Sequence, residues 1–313
     1  MRHDPGSQGS CSSQAPGNPR STKRKVSRFA WLALAILGLA SPALLPAATQ
    51  PVVSAATPHG RLLALSDEAV AYVPTSAGAR PPLLVLLHGA GRSRMRMIER
   101  FEAEADSRGI VLLAPTSKGP TWDVIRVAME PASPGSALAE RLGHRYSGSR
   151  DSKRVEAAIA NLARIVPTDP SRTVLAGFSD GATFALAMGM ARSHTFSAVI
   201  AWSPGIPIET SQPARGRRVF VSHGRRDPIL SFDVDCGEIV PLLEEEGAIV
   251  SFLAFDGVHE LPEAAKDAFL DAAFGPLPSA PPHPIPKERP VCHPMNPQLP
   301  QLPQQQPMMT PMG

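Results

Sequence analysis

A series of short, mostly apolar runs constrains this chain more than any other feature: residues 83–87, 110–114, 173–177, 198–202 and 219–222. A strand with one wet face alternates apolar and polar residues. These runs do not alternate, so each is expected to be covered on both faces. Helical spacing fills the gaps. Met95, Met97, Ile98 and Phe101 recur along 94–107, and further helices are expected at about 151–165, opened by Asp151 as N-cap, and at 181–191, 232–246 and 261–273. Residues 249–255 read as one more strand, 62–65 and 69–73 as an opening hairpin, and 116–150, which holds Trp122, as irregular. This order predicts an α/β fold: a mostly parallel central sheet with helices on both faces. In such sheets the chemistry lies at the carboxyl ends of the strands.

The two ends of the chain do not share this pattern. Proline makes up 35 of the 313 residues, more than twice its usual share of about 5%, and it crowds into 276–313 beside Gln and Met. That composition predicts an extended, disordered tail. At the other end, Lys23, Arg24, Lys25 and Arg28 precede an apolar run over 29–40 that Ser41 and Pro42 break. The layout is that of an export signal, too short to span a bilayer as a straight helix, with cleavage expected after Ala43 or Ala56. An uncleaved membrane anchor is the alternative, because 43–48 prolongs the apolar stretch. The domains expected are therefore 1–56, an arm with the signal; 57–275, the folded α/β domain; and 276–313, the tail.

The formal net charge is +3, but residues 1–28 hold six cations against Asp4, so the remainder is acidic. A domain that grips nucleic acid carries its own basic surface, and nucleic acid is not an expected partner. Of three cysteines, Cys11 falls in the arm. Cys236 is expected to be an isolated buried thiol, with a bond to Cys292 as the alternative in an exported compartment. No C-x-x-C pair exists for zinc. His259-Glu260 opens like a zinc-protease motif, but Glu263 stands where the second His belongs. Gly89-x-Gly91 lacks the third glycine of a dinucleotide loop, Arg94 taking its place. No metal or cofactor is expected.

The segment carrying chemistry is Gly177-Phe178-Ser179-Asp180-Gly181, with a strand before it and a helix after it. A serine on so sharp a turn is exposed as a nucleophile, and side chains two positions away would clash. Its hydroxyl needs a base oriented by a carboxylate. His259 follows the strand at 249–255, and Asp227 follows the strand at 219–222; Asp233, Asp235 and Asp256 are its rivals. His223 is expected to pack the turn that presents Asp227. An oxyanion hole needs two N–H groups: Asp180, next to the nucleophile, offers one, and Ala90, between Gly89 and Gly91, the other. Trp122 and Trp202 stand after strands and are candidates for lining the substrate pocket.

Leu87-His88-Gly89-Ala90-Gly91, Gly177-x-Ser179-x-Gly181, His223-Gly224-x-x-Asp227-Pro228 and Gly257-x-His259 together resemble the α/β-hydrolase superfamily. Within it, the chain is similar to the phospholipase/carboxylesterases and the polyhydroxybutyrate-depolymerase-like esterases. The likeness covers about residues 80–275. It implies Ser179, Asp227 and His259 as triad and the Ala90 and Asp180 amides as oxyanion hole. Asp180 and Ala182 depart from the Gln and Gly usual around the carboxylesterase elbow, so acyl-protein substrates are not carried over. Few residues separate Trp202 from the next strand, which leaves no place for a large lid domain.

The expectation is a serine carboxylesterase acting through an acyl-enzyme on small or soluble esters, with a polymeric ester left open. A serine peptidase of the same fold is one alternative, although such proteins commonly carry a large extra domain. A non-catalytic binding member is the other, and it would be expected to have lost one of the triad residues.

Overall fold

A computed structural model of the chain describes residues 52–66, 68–91, 93–129, 146, 148–192, 194–210, 215–275 and 285. The expected signal, the expected tail apart from Ile285, and the cysteines Cys11 and Cys292 lie outside the described residues. Among the described residues, nine strands form one sheet in the order β1-β2-β3-β5-β4-β6-β7-β8-β9. An antiparallel edge of β1 (Val52–Ala56), β2 (Gly60–Ser66) and β3 (Ala69–Pro74) joins β5 (Val111–Pro115). From β5 onward every pairing is parallel, through β4 (Leu83–Leu87), β6 (Thr173–Phe178), β7 (Ala198–Trp202), β8 (Arg218–Gly224) and β9 (Ile249–Phe255). The sheet therefore takes in 52–56, which the sequence pattern leaves in the arm.

The solid apolar strands are buried as their composition requires. Side chains that alternate along them enter two separate cores, one on each face of the sheet. On one face α1 (Arg94–Arg108) contributes Met97, Ile98 and Phe101, and α7 (Glu263–Phe274) contributes Ala265, Phe269 and Leu270. The two helices are also tied by a buried Arg108–Asp271 ion pair at 2.7 Å. The other face holds α3 (Arg150–Ala163) and α4 (Asp180–Ala191). Residues 181–191 of α4 are all buried, so this helix shows no polar stripe.

Local chemistry sets several boundaries differently from the sequence reading. Ser149, not Asp151, caps α3: its hydroxyl accepts from Ser152 N–H while the Ser152 hydroxyl accepts from Ser149 N–H. Asp151 is buried and accepts the backbone N–H groups of Lys118 and Asp123. Within the stretch expected to be irregular, Asp123–Met129 forms a short helix, α2. After β8 the chain enters α5 (Phe232–Val234), a π turn (Asp235–Ile239) and α6 (Val240–Glu245). Cys236 in the π turn is buried and disulfide-bonded, which corrects the expectation of an isolated thiol. Both other cysteines stand in segments that pattern as non-core, and a disulfide needs two close Cα atoms rather than a shared core. Among the described residues, no helix is long and apolar enough to cross a membrane.

Candidate active site

The turn from β6 into α4 carries Ser179 at φ 57° and ψ −123°, a backbone conformation that side-chain-bearing residues rarely adopt. The flanking glycines are sterically obliged. A Cβ on Gly177 would stand 2.1 Å from the Gly181 carbonyl oxygen, and one on Gly181 would stand 2.3 Å from that of Leu87. The elbow is pinned to the next strand by Ser179 N–H donating to the Trp202 carbonyl at 2.9 Å, and Ala182 N–H closes it on the Ser179 carbonyl at 2.8 Å. The amides of Asp180 and Gly181 open α4, where no intrahelical acceptor exists for them. They face the end of the helix where partial positive charge collects.

Asp227 and His259 come from the ends of β8 and β9 and meet: Nδ1 of His259 lies 2.7 Å from Asp227 Oδ2. The Asp227 side chain is wholly buried and that of His259 is 10% exposed. Burial pushes the Asp227 carboxyl upward. Hydrogen bonds from Leu230 N–H, His259 and Ile229 N–H outweigh that effect and hold it below the usual aspartate range. On its other side, His259 packs on Phe178, the neighbour of Ser179, with ring centroids 4.9 Å apart. Gly224 makes the meeting of the two loops feasible, since a Cβ there would stand 2.3 Å from the Val258 carbonyl oxygen. Arg226 fastens the same loops from outside through Asp256 at 2.7 Å. Asp256 is thereby occupied at the surface, and Asp235 is drawn to His223.

The loop after β4 lies against the elbow: a Cβ on Gly89 would come within 3.2 Å of Ser179 Cβ. His88 beneath it is buried, and its tautomer follows from its neighbours. Ser117 N–H donates to Nε2 at 3.1 Å, so Nδ1 carries the proton and donates to the Gly89 carbonyl at 2.7 Å. Fixing that carbonyl also fixes the plane of the Gly89–Ala90 peptide, and with it the direction of the Ala90 N–H. Ala90 itself is exposed. From the elbow, the Asp180 carboxylate accepts the Thr121 hydroxyl at 2.5 Å, joining α4 to the loop after β5.

Both tryptophans are fully buried among the described residues, which corrects the expectation that they line a substrate pocket. Trp122 is fully buried between His88 and Phe184, each ring 4.7 Å away, and its indole N–H donates to the His88 carbonyl. Trp202 is fully buried beside Phe101 and Phe269 in the opposite core. Trp122 follows β5, as expected, and Trp202 is the last residue of β7, but both large apolar rings are turned into the cores. Trp122 serves the site indirectly, as the support of His88. A cavity of about 400 Å³ lined by Gly60, Pro74, Ala77, Pro81, Val166 and Pro167 opens at the far end of the strands, away from Ser179.

Sequence reasoning missed the partner of His223. Its Nδ1 lies 2.6 Å from Asp235 Oδ2, and its Nε2 lies 3.0 Å from both the Leu230 carbonyl oxygen and Asp227 Oδ2. The available signal was an aspartate set among Cys236, Ile239 and Val240, an apolar helical face that has no use for a charge.

Residues 69–240 match the profile of the phospholipase/carboxylesterase family. Among solved structures, the chain is similar to a phospholipase/carboxylesterase from Dyadobacter fermentans at 18% identity and a TM-score of 0.47, covering 67% of this chain and 96% of that one. It is also similar to a Bacillus cereus carboxylesterase at 22% identity and a TM-score of 0.47, covering 62% and 89%. Esterase PE8 is similar at 24% identity and a TM-score of 0.48, covering 64% and 96%. No curated protein matches the chain.

Proposed function

The chain belongs to the phospholipase/carboxylesterase family, and on that footing we propose that it is a serine carboxylic-ester hydrolase that works through an acyl-enzyme. The observation that carries this reading is the strained Ser179 at a strand-to-helix turn whose glycines admit no side chain. The hydrogen-bonded His259–Asp227 pair at the ends of the neighbouring strands supports it.

In the first half-reaction Ser179 Oγ attacks the ester carbonyl while His259 Nε2 takes its proton. Asp227, ionised and bonded to Nδ1, stabilises the resulting imidazolium. The carbonyl oxygen gains charge and is held by the Ala90 and Asp180 amides, which require no rearrangement as that charge develops. His259 returns the proton to the departing alcohol. Water then attacks the acyl-enzyme with His259 again as base, and Ser179 is released with the carboxylic acid.

The connection between β7 and β8 spans only 203–217, which suits small or soluble esters. We further propose export, directed by the basic and apolar segment at 23–40. Signal cleavage after Ala43 is preferred, because a cut after Ala56 would remove β1 from the sheet. The test of the activity is hydrolysis of p-nitrophenyl esters from acetate to long acyl chains, with Ser179→Ala alongside. Activity that disappears in the variant supports the reading. Equal activity in the two proteins assigns the nucleophile elsewhere.

A further inference from the structure

His223 is buried, and both of its ring nitrogens face acceptors: Nδ1 faces Asp235 Oδ2, and Nε2 faces the Leu230 carbonyl and Asp227 Oδ2. A neutral imidazole has one N–H and one lone pair. With Asp235 ionised, a neutral His223 would aim its lone pair at an acceptor on one side or the other. Two arrangements avoid this. Either His223 is an imidazolium and Asp235 a carboxylate, or Asp235 is protonated and donates to Nδ1 of a neutral His223. Both place one extra proton on the pair, and both put a proton on Nε2. The Nε2–H edge therefore faces Leu230 and Asp227 whichever form prevails.

We propose that His223 and Asp235 are positioning residues: their shared proton keeps the His223 Nε2–H on the Leu230 carbonyl and against Asp227 Oδ2, the oxygen that also receives the His259 Nδ1–H. This rests on the serine-hydrolase reading above. Leu230 is held at both ends, because its N–H donates to Asp227 Oδ1 at 2.9 Å while its carbonyl accepts from His223. The carboxylate that orients the base is thus clamped from the side opposite the base.

The energetics argue against a purely structural role. A buried ionisable pair gives little net stability compared with apolar residues of the same volume, and among the described residues Asp235 Oδ1 has no hydrogen-bond partner. Burial pushes the Asp235 carboxyl up to about 7. Burial also pushes His223 downward, but its hydrogen bond to Asp235 outweighs that and leaves it raised, as a shared proton requires. Asp227 is the charged group that acts on both members of the pair, and His259 meets Asp227 from the other side. Arg225 lies over the Phe232 ring, which in turn meets His223 edge-on. Asp235 also opens the π turn, an irregularity often found at functional positions.

The test compares the full chain with Asp235→Asn and with the double variant His223→Phe/Asp235→Leu, which keeps volume and leaves no buried charge unpaired. In Asp235→Asn the amide can donate to His223 Nδ1 and so preserve the Nε2–H. It should remain close to the parent in kcat. The double variant should lose about 10²-fold in kcat with KM little changed. Its kcat/KM acid limb should also move to higher pH, because Asp227 then gives its charge to His259 alone. A folded double variant with the parent's kcat and pH profile would overturn the proposal, and so would an Asp235→Asn variant as impaired as the double one.

Should the double variant fail to fold, ¹⁵N NMR of histidine-labelled parent decides. The proposal requires a protonated His223 Nε2 from about pH 5 up to neutrality, and a lone pair there contradicts it. Failure of the underlying reading is separately visible as ester turnover that survives Ser179→Ala.

Discussion

Two turns at the carboxyl edge of the same sheet are held in place by different physics. The elbow at Ser179 is fixed by backbone sterics: two positions that admit only glycine, an amide hydrogen bond to β7, and a buried helix behind it. The turn at Asp227 is fixed by side chains, with His259 on one side and the His223–Asp235 pair on the other. The first arrangement is built from backbone and its strain is conformational. The second is built from side chains and its cost is the burial of titratable groups. A steric device admits no side chain at its glycines but ignores pH, whereas a polar device can keep its shape with an isostere and responds to pH.

The largest expected effect comes from removing what the elbow presents. Ser179→Ala should lower kcat by about 10⁶-fold with unfolding unchanged, as when a serine triad loses its nucleophile. Asp227→Asn, on the polar side, should cost about 10⁴-fold, because an amide offers its N–H to His259 Nδ1 and selects the wrong tautomer. Steady-state hydrolysis of p-nitrophenyl acetate measures both. Gly181→Ala attacks the steric device itself. A methyl group 2.3 Å from the Leu87 carbonyl oxygen and 2.5 Å from that of His88 has no room. It should lower stability by about 3 kcal/mol or more, read from urea unfolding.

The smallest effect sharpens the comparison most. Asp227 lies below the ordinary aspartate value, so its contribution to stability is present above that value, about 3.9, and is lost as acid titrates it. Asp235 is raised to about 7. Its contribution is full below the ordinary value and is lost as pH rises through neutrality. Thermal unfolding across pH should show both slopes, each worth a few degrees. Asp227→Asn should flatten the acid slope and Asp235→Asn the alkaline one, whereas the elbow variants should leave both intact.

That division also explains what was legible in the sequence. The parallel strands were readable because residues such as 83–87 and 198–202 are apolar without alternation, and the elbow because its sterics demand glycine at fixed offsets from Ser179. Asp227 and His259 could be placed at strand ends by chain order, and the two side chains do meet. Contacts made across sequence distance were not readable. Asp235 reaches His223 from a π turn, whose wider winding no 3.6-residue periodicity reports. Trp122 stands after a strand and Trp202 at the end of one, but whether a ring enters a cleft or a core depends on Phe184, Phe101 and Phe269 from other elements. The Cys236 bond was hidden for the same reason, and β1 because its pairing with β2 lies in the backbone rather than in a composition.

The most direct test of the central claim is covalent. The intact protein, treated with a fluorophosphonate and read by mass spectrometry with peptide mapping, should gain one phosphonyl group on Ser179 as ester hydrolysis stops. Labelling should vanish in Ser179→Ala and slow sharply in Asp227→Asn. An unlabelled Ser179 in a protein that hydrolyses esters, or inactivation that maps to another residue, would contradict the account.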